Sequence, residues 1–203
     1  MYKYFFKRVL GFSLSLVALI LLSPIFLVFI ILGAIKMKGN PFFYQERPGK
    51  DEKIFKLIKF RSMTEEKDKD GNYLPDKDRL TAYGKWLRST SIDELPELLN
   101  IVKGDMAIVG PRPLLPEYLP LYNERQRRRH EVRPGLTGLA MANGRNSLTW
   151  KQKFDYDIEY VDNVSLWMDI KIILKTVKAV ISKEGVTSAG SETVEPFRGN
   201  DDE

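Results

Sequence analysis

Apolar residues run almost unbroken through the first part of the chain, with 27 uncharged positions between Arg8 and Lys36. That length permits a tilted spanning helix, which needs roughly 20 apolar residues. A secretory signal fits poorly, because the run is too long and no small-x-small cleavage site follows it. Ser23-Pro24 interrupts the run near its middle. A mid-helix proline removes one backbone hydrogen bond and crowds the preceding turn, and the Ser23 hydroxyl is well placed to satisfy the carbonyl left open. Each half is too short to span alone. Lys3, Lys7 and Arg8 precede the run, while Lys36, Lys38, Arg47 and Lys50 follow it. Positive residues prefer the cytoplasmic side, so a re-entrant helix-break-helix satisfies both flanks and a single span satisfies one. The re-entrant form is the expectation; a spanning helix with a tolerated kink is its rival.

From Asn40 the texture becomes polar and mixed. Phe42–Arg47 and Ile54–Phe60 read as short strands joined across Pro48-Gly49 as a hairpin. Residues 64–79 are dense in charge around the turn signal Asp70-Gly71-Asn72, which predicts a mobile loop. Helices are predicted near Thr81–Leu87, Asp93–Val102, Glu117–Val132 and Leu148–Tyr160. Loops are predicted at Pro134-Gly135, Gly138 and Asn143-Gly144-Arg145-Asn146. A last helix, Leu166–Ser182, puts Ile170, Ile173, Leu174, Val177, Val180 and Ile181 on one stripe, with Lys171, Lys175 and Lys178 outside it. Ser165 suits its N-cap, and with Trp167 at its start the stripe fits either a lipid surface or the domain core. Thr187–Glu203 reads as a disordered polar tail. The expected organisation is an α/β fold, mostly helical with a small antiparallel hairpin. It comprises an anchor over 1–38, a domain over 39–185 and a tail over 186–203.

Composition narrows the chemistry. The chain has 203 residues, ample for one domain with a real core. Its net charge of +5 favours phosphates, acidic lipids or nucleic acid as partners. The absence of cysteine excludes disulfides, thiolate metal sites and cysteine nucleophiles, and fits a reducing compartment. His130 is the one histidine, so a triad or histidine metal site would have to be built on it. Carboxylates, lysine and arginine remain.

Those residue types concentrate in Ser91-Ile92-Asp93-Glu94-Leu95-Pro96-Glu97, which sets two adjacent carboxylates at the start of a predicted helix. Carboxylates bind metals or attack phosphorus. The structural alternative is a capping box, Ser91-x-x-Glu94. Pro96 suits a first helical turn, which would put Asp93 among free amides that keep it ionised and attract phosphate. Gly110-Pro111-Arg112-Pro113 fixes the backbone around an arginine whose fork suits phosphate oxygens. Arg125, Arg127, Arg128, Arg129, His130 and Arg133 form a basic cluster. With no nucleic-acid motif or aromatic platform beside it, membrane phosphates fit it better than nucleic acid. Lys59, Arg61, Arg88, Arg145 and Asp157 are single polar residues that read as structural on their own.

The run Lys59-Phe60-Arg61-Ser62-Met63, Asp93-Glu94-Leu95-Pro96, Gly104-Asp105-Met106 and Val109-Gly110-Pro111-Arg112-Pro113 resembles the bacterial monotopic phosphoglycosyl transferases. So do Arg133-Pro134-Gly135-Leu136-Thr137-Gly138-Leu139 and Gly144-Arg145-Asn146. The likeness extends from Ser23-Pro24 to about Gly185 and is closest to the diacetylbacillosamine phosphate transferases that open N-linked protein glycosylation. It implies transfer of a sugar phosphate from a UDP-sugar to undecaprenyl phosphate, releasing UMP. Asp93 would be the nucleophile, and Glu94 a Mg2+ ligand beside it or the base for the incoming lipid phosphate. Arg112 and Arg145 would clamp phosphate and nucleotide, with Lys59, Arg88 and Asp157 as further substrate-binding residues. The resemblance also implies a re-entrant anchor, the cytoplasmic face of the inner membrane, contact with membrane lipids and pathway glycosyltransferases as partners. Two rivals remain: direct transfer in a ternary complex with Asp93 only as metal ligand, and a non-catalytic anchored adaptor with a basic face.

Overall fold

The apolar run forms one helix, α1 (Lys7–Lys36), entered through a π-helical turn over Tyr2–Phe6. The computed structural model describes residues 1–144, 147–182 and 196–200. Where the sequence predicts a break, helical structure continues through Pro24. The physical reason lies one turn earlier. Pro24 has no N–H for the Ile20 carbonyl, and Ser23 Oγ donates to that carbonyl at 2.8 Å instead. Among the described residues α1 is the one helix long and apolar enough to cross a membrane.

One stripe of α1 faces the rest of the protein. Gly11, Ser15, Phe26, Phe29 and Gly33 are buried at helical spacing, with Leu19 and Leu22 partly buried between them. Phe26 and Phe29 pack on Phe60 and Leu87, while Gly33 lets α1 pass close to Pro41, where a Cβ would come within 2.9 Å. The opposite stripe, including Leu14, Val17, Ile20, Leu21, Leu27 and Ile35, is exposed. At its N-terminal end α1 is tied down by polar bonds. Lys7 Nζ reaches Tyr160 Oη at 2.6 Å and Asp169 Oδ2 at 2.5 Å, and Arg8 donates to the Ile101 and Val102 carbonyls at 2.5 and 2.9 Å.

The predicted hairpin is present: β1 (Phe42–Pro48) pairs antiparallel with β2 (Ile54–Phe60), Phe42 opposite Phe60. Beyond it, the charged loop is punctuated by isolated bridges at Met63–Leu80 and Lys67–Tyr73 and by a short helix, α2 (Asp76–Arg79). Thr81 caps α3 (Ala82–Ser89), accepting from the Gly84 amide at 3.0 Å. A 3-10 turn over Ile92–Glu94 then leads to α4 (Glu97–Lys103), which stops at Gly104 with φ 103°.

A second, parallel pair joins β3 (Ala107–Val109) to β4 (Gly135–Thr137), a region the sequence reads as loop. Gly135 is required there, since a Cβ would fall 2.1 Å from the Gly110 nitrogen. The long helix predicted over Glu117–Val132 is broken into a 3-10 segment Pro116–Leu121, α5 (Glu124–Arg127) and a 3-10 turn Arg128–Glu131. Pro120 interrupts it, and Asn123 starts afresh with a capping box to Gln126.

The remaining helices are α6 (Leu139–Ala142), α7 (Trp150–Asp162) with its Thr149 capping box, and α8 (Leu166–Ser182). Ser165 Oγ accepts from the Met168 amide at 3.3 Å, as its N-cap role predicts. Asp169 and Ile172 form the buried face of α8, whereas Trp167, Ile170, Leu174 and Val177 lie exposed. Ile170, Leu174 and Val177 of the apolar stripe thus face out of the domain, while Ile173 is partly buried against the core. The architecture is mixed and mostly helical, with one antiparallel hairpin. Part of the segment read as a polar tail is seated: Phe197 is buried among Tyr118, Tyr122, Phe154 and Trp150. An aromatic residue with ring partners outweighs the polarity of its neighbours. Residues 186–195 and 201–203 of that predicted tail lie outside the described residues.

Candidate active site

Five elements bring charged side chains to one place. Lys59 comes from β2, Arg88 from α3, Asp93 and Glu94 from the 3-10 turn, and Glu97 from the start of α4. Arg112 comes from the proline-flanked segment after β3. Glu94 Oε1 accepts from Lys59 Nζ at 2.9 Å and from Arg112 Nη2 at 2.6 Å. Lys59 also pairs with Glu97 Oε1 at 3.1 Å. Arg88 holds Ser62 Oγ at 3.0 Å, and its charge acts on Asp93. No described residue hydrogen-bonds the Asp93 carboxylate, which stands half-buried beside this network.

Electrostatics separate the three carboxylates. Burial pushes Asp93 up to about 6 and the Glu94 charge adds to it, against Lys59, Arg112 and Arg88. Burial alone would raise Glu94 too, but Arg112 and Lys59 outweigh it and hold Glu94 well below the usual carboxylate range. Glu97 is pushed up to about 7 by burial, with Lys59 opposing and Glu94 adding. Glu94 in turn raises the Arg112 guanidinium.

This corrects two expectations. Ser91, at a left-handed φ of 56°, forms no side-chain capping bond; the Glu94 amide donates to its carbonyl at 3.2 Å instead. Asp93 is also not among the free amides of α4, which begins at Glu97, so burial rather than helix amides sets its proton affinity. Left-handed geometry at a non-glycine residue clusters at functional sites, and here it lies two residues before Asp93.

Asp157 is elsewhere. Its carboxylate pairs with Arg129 at 2.7 Å, the two side chains being 6% and 3% exposed. Arg129 Nη2 also donates to the Arg112 carbonyl at 2.7 Å. Asp157 thus stands behind Arg112 as part of its support instead of facing the open cluster. Both of its bonds from Arg129, at 3.0 and 2.7 Å, fall on the one oxygen Oδ2. Arg112 and Glu94, by contrast, are 44% and 17% exposed. Arg145 lies outside the described residues. Glu97 escaped the sequence reading although it ends the same acidic motif; its spacing of three from Glu94 on a helical stretch is the signal that points to it.

The basic cluster is mostly engaged. Arg125 pairs with Asp155 at 2.8 Å, Arg127 with Glu52 at 3.2 Å, and Arg128 with Glu131 and Asp162. Arg129 holds Asp157, His130 Nδ1 lies 3.0 Å from the Gly49 carbonyl, and Arg133 Nε donates to the Gly104 carbonyl at 2.8 Å. These cations bolt elements together instead of forming a free anionic-lipid face.

Among the described residues no cluster of three or more acidic or histidine side chains is built to hold a metal. Mg2+ does not require one: it takes one or two carboxylates and completes its octahedron with water and substrate phosphates. Asp93 and Glu94 suit that kind of site.

The chain is similar to known proteins along most of its length. Residues 2–183 match the family described as bacterial sugar transferase. The chain is 49% identical over 196 residues to the uncharacterized sugar transferase EpsL of Bacillus subtilis (strain 168), covering 97% of each chain. It is 42% identical over 193 residues to the UDP-glucose:undecaprenyl-phosphate glucose-1-phosphate transferase of Klebsiella pneumoniae, covering 88% of this chain and 41% of that protein. It is 36% identical over 200 residues to the undecaprenyl-phosphate galactose phosphotransferase of Salmonella typhimurium, covering 89% of this chain and 41% of that one. A match across nearly its whole length means that the chain belongs to the bacterial sugar transferase family.

Proposed function

We propose that this protein transfers a sugar phosphate from a UDP-sugar to undecaprenyl phosphate through a covalent intermediate on Asp93. The observation that carries the reading is the contrast between neighbours: Glu94 is locked by Lys59 and Arg112, whereas Asp93 has no bonded partner among the described residues. An ionised Asp93 oxygen attacks the sugar-bearing phosphorus. The phosphorus–oxygen bond to UMP breaks, and UMP leaves with its electron pair. An oxygen of undecaprenyl phosphate then attacks the same phosphorus, forming the polyprenyl diphosphosugar and returning the Asp93 carboxylate. Arg112 has an exposed side chain with which to grip phosphate oxygens, and Lys59 and Arg88 add positive charge around the attack. Asp93 and Glu94 would hold Mg2+, which when bound would neutralise diphosphate charge. The strongly ionised Glu94 is a poor proton acceptor, which favours the ligand role over that of base.

The membrane reading rests on α1. Its N-terminal end is bonded to α7 and α8, and its C-terminal half packs on β2 and α3. A 30-residue helix measures about 45 Å, so the domain is fastened along most of that length. A single crossing would draw this polar domain into hydrocarbon; an anchor that keeps both positive flanks of α1 on the cytoplasmic face of the inner membrane does not. The outward stripe of α8 fits the same lipid surface. The adaptor alternative loses its main support, because the basic cluster is engaged in pairs.

The donor of first choice is UDP-diacetylbacillosamine, by overall likeness, which would place the enzyme at the head of a glycosylation pathway and before its glycosyltransferases. UDP-glucose and UDP-galactose belong in the same panel, given the names of the relatives. The test is UMP release with donor and Mg2+ but no polyprenyl phosphate. A burst of at most about one UMP per enzyme supports the two-step route. Release only after lipid is added favours a ternary complex, with Asp93 as metal ligand.

A further inference from the structure

Residues 196–200 occupy an aromatic box that the transfer chemistry does not use. Phe197 is 4% exposed. Its ring meets Tyr118 and Phe154 edge-on, with centroids 5.8 and 5.1 Å apart, and stacks on Tyr122 at 6.0 Å. Trp150 closes the box at 5.5 Å. Asn200 fastens the segment: its Oδ1 accepts from Gln126 Nε2 at 2.5 Å, and its Nδ2 donates to the Leu121 carbonyl at 3.1 Å. A buried ring and two directed hydrogen bonds define a specific seat.

The same rings form the wall of Arg129. Its guanidinium carbon lies 5.8 Å from the centroids of both Tyr122 and Phe154. Arg129 Nη1 donates to Tyr122 Oη at 3.3 Å, and Arg129 Nη2 donates to the Arg112 carbonyl at 2.7 Å. Contact therefore runs from the Phe197 ring to two rings, from these to a guanidinium, and from that to the backbone of Arg112.

We infer that Phe197 is a positioning residue for Arg112, acting through Tyr122, Phe154 and Arg129. The consequence for donor turnover rests on the function proposed above; the mechanical link to the Arg112 segment does not. Removing the phenyl ring leaves a void in a close-packed cluster, and the rings that flank Arg129 relax into it. Pro111 and Pro113 leave few torsions to absorb a shift of the Arg112 carbonyl, so the displacement passes to the side chain.

The test compares the full chain with Phe197→Ala and Phe197→Leu by hydrogen exchange and by steady-state kinetics. Two amides report on the segment: Gly110, bonded to the Thr137 carbonyl at 2.9 Å, and Gly135, bonded to the Pro111 carbonyl at 3.0 Å. In Phe197→Ala both should exchange about tenfold faster while β2 amides keep their protection. The kcat/KM for the UDP-sugar should fall about tenfold. Phe197→Leu, which refills the seat, should recover most of both. Should Phe197→Ala fail to fold, Asn200→Ala unfastens the segment with a smaller defect and carries the same comparison. A lower unfolding temperature with unchanged exchange at Gly110 and Gly135 would overturn the inference, as would equal loosening throughout the chain. If the wild type turns over no donor, the functional reading falls, and the exchange rates still decide the link.

Discussion

The Arg129–Asp157 pair and the Arg112–Glu94 pair share a contact, the bond from Arg129 to the Arg112 carbonyl, yet differ in their surroundings. In the first, both side chains are buried, and the guanidinium is further engaged by Tyr122 and by the Arg112 carbonyl. In the second, the guanidinium is half open, and an unpaired carboxylate stands next to its partner. Closed pairs specify structure because every donor is committed. Open pairs keep donors for a ligand. An arginine–carboxylate motif is thus informative about chemistry only once its exposure is known.

Substitutions separate the two regions. The largest effect is expected from Asp93→Asn. Turnover should drop on the order of 10^4-fold, while the unfolding temperature holds or rises, because a half-buried carboxylate without a bonded partner has gone. Paired rate assays and melting curves read this out. Asp157→Asn should give the opposite signature. It leaves a buried guanidinium uncompensated, costing about 3–5 kcal/mol in denaturant unfolding. Replacing both members, Arg129→Met with Asp157→Leu, should recover much of that stability but not the activity, since the Arg112 carbonyl loses its donor.

Arg112→Lys comes next. The planar fork is lost and a point charge remains, so kcat/KM should fall about 100-fold. Its exposure limits the stability change to about 1 kcal/mol or less. The smallest effect concerns pH. Asp93 must be ionised to attack, and its proton affinity is raised to about 6. Adduct formation should therefore slow as pH falls through 6, by about tenfold at pH 5. An aspartate near its ordinary value would show no such loss. The same raised affinity means that the folded state binds this proton more tightly than the unfolded state. Its contribution to stability is then full in acid and is lost as pH rises from about 4 to 6.

Parts of this arrangement are legible in sequence for identifiable reasons. The β1–β2 hairpin is bounded by Pro48-Gly49, and α8 by Ser165, both local signals. The grouping of Lys59, Asp93, Glu94 and Arg112 follows from the family resemblance their motifs carry, whereas Arg88 sits in none of those motifs. Other features depend on tertiary context. β3 and β4 have three residues each, too few for periodicity to register. The restart at Asn123 divides what charge patterning presents as one helix. Asp157 carries no mark of its neutralisation by Arg129, a residue hidden among several exposed arginines. Phe197 lies in a polar context and reveals its seat only through rings contributed by distant segments.

The most direct test of the central claim is the intact mass of wild-type protein incubated with UDP-sugar and Mg2+, without undecaprenyl phosphate, followed by peptide mapping. The account predicts a mass increase equal to one sugar phosphate on the peptide carrying Asp93, discharged when undecaprenyl phosphate is added. Unmodified protein, from a preparation that turns over the same donor once lipid is present, would contradict it.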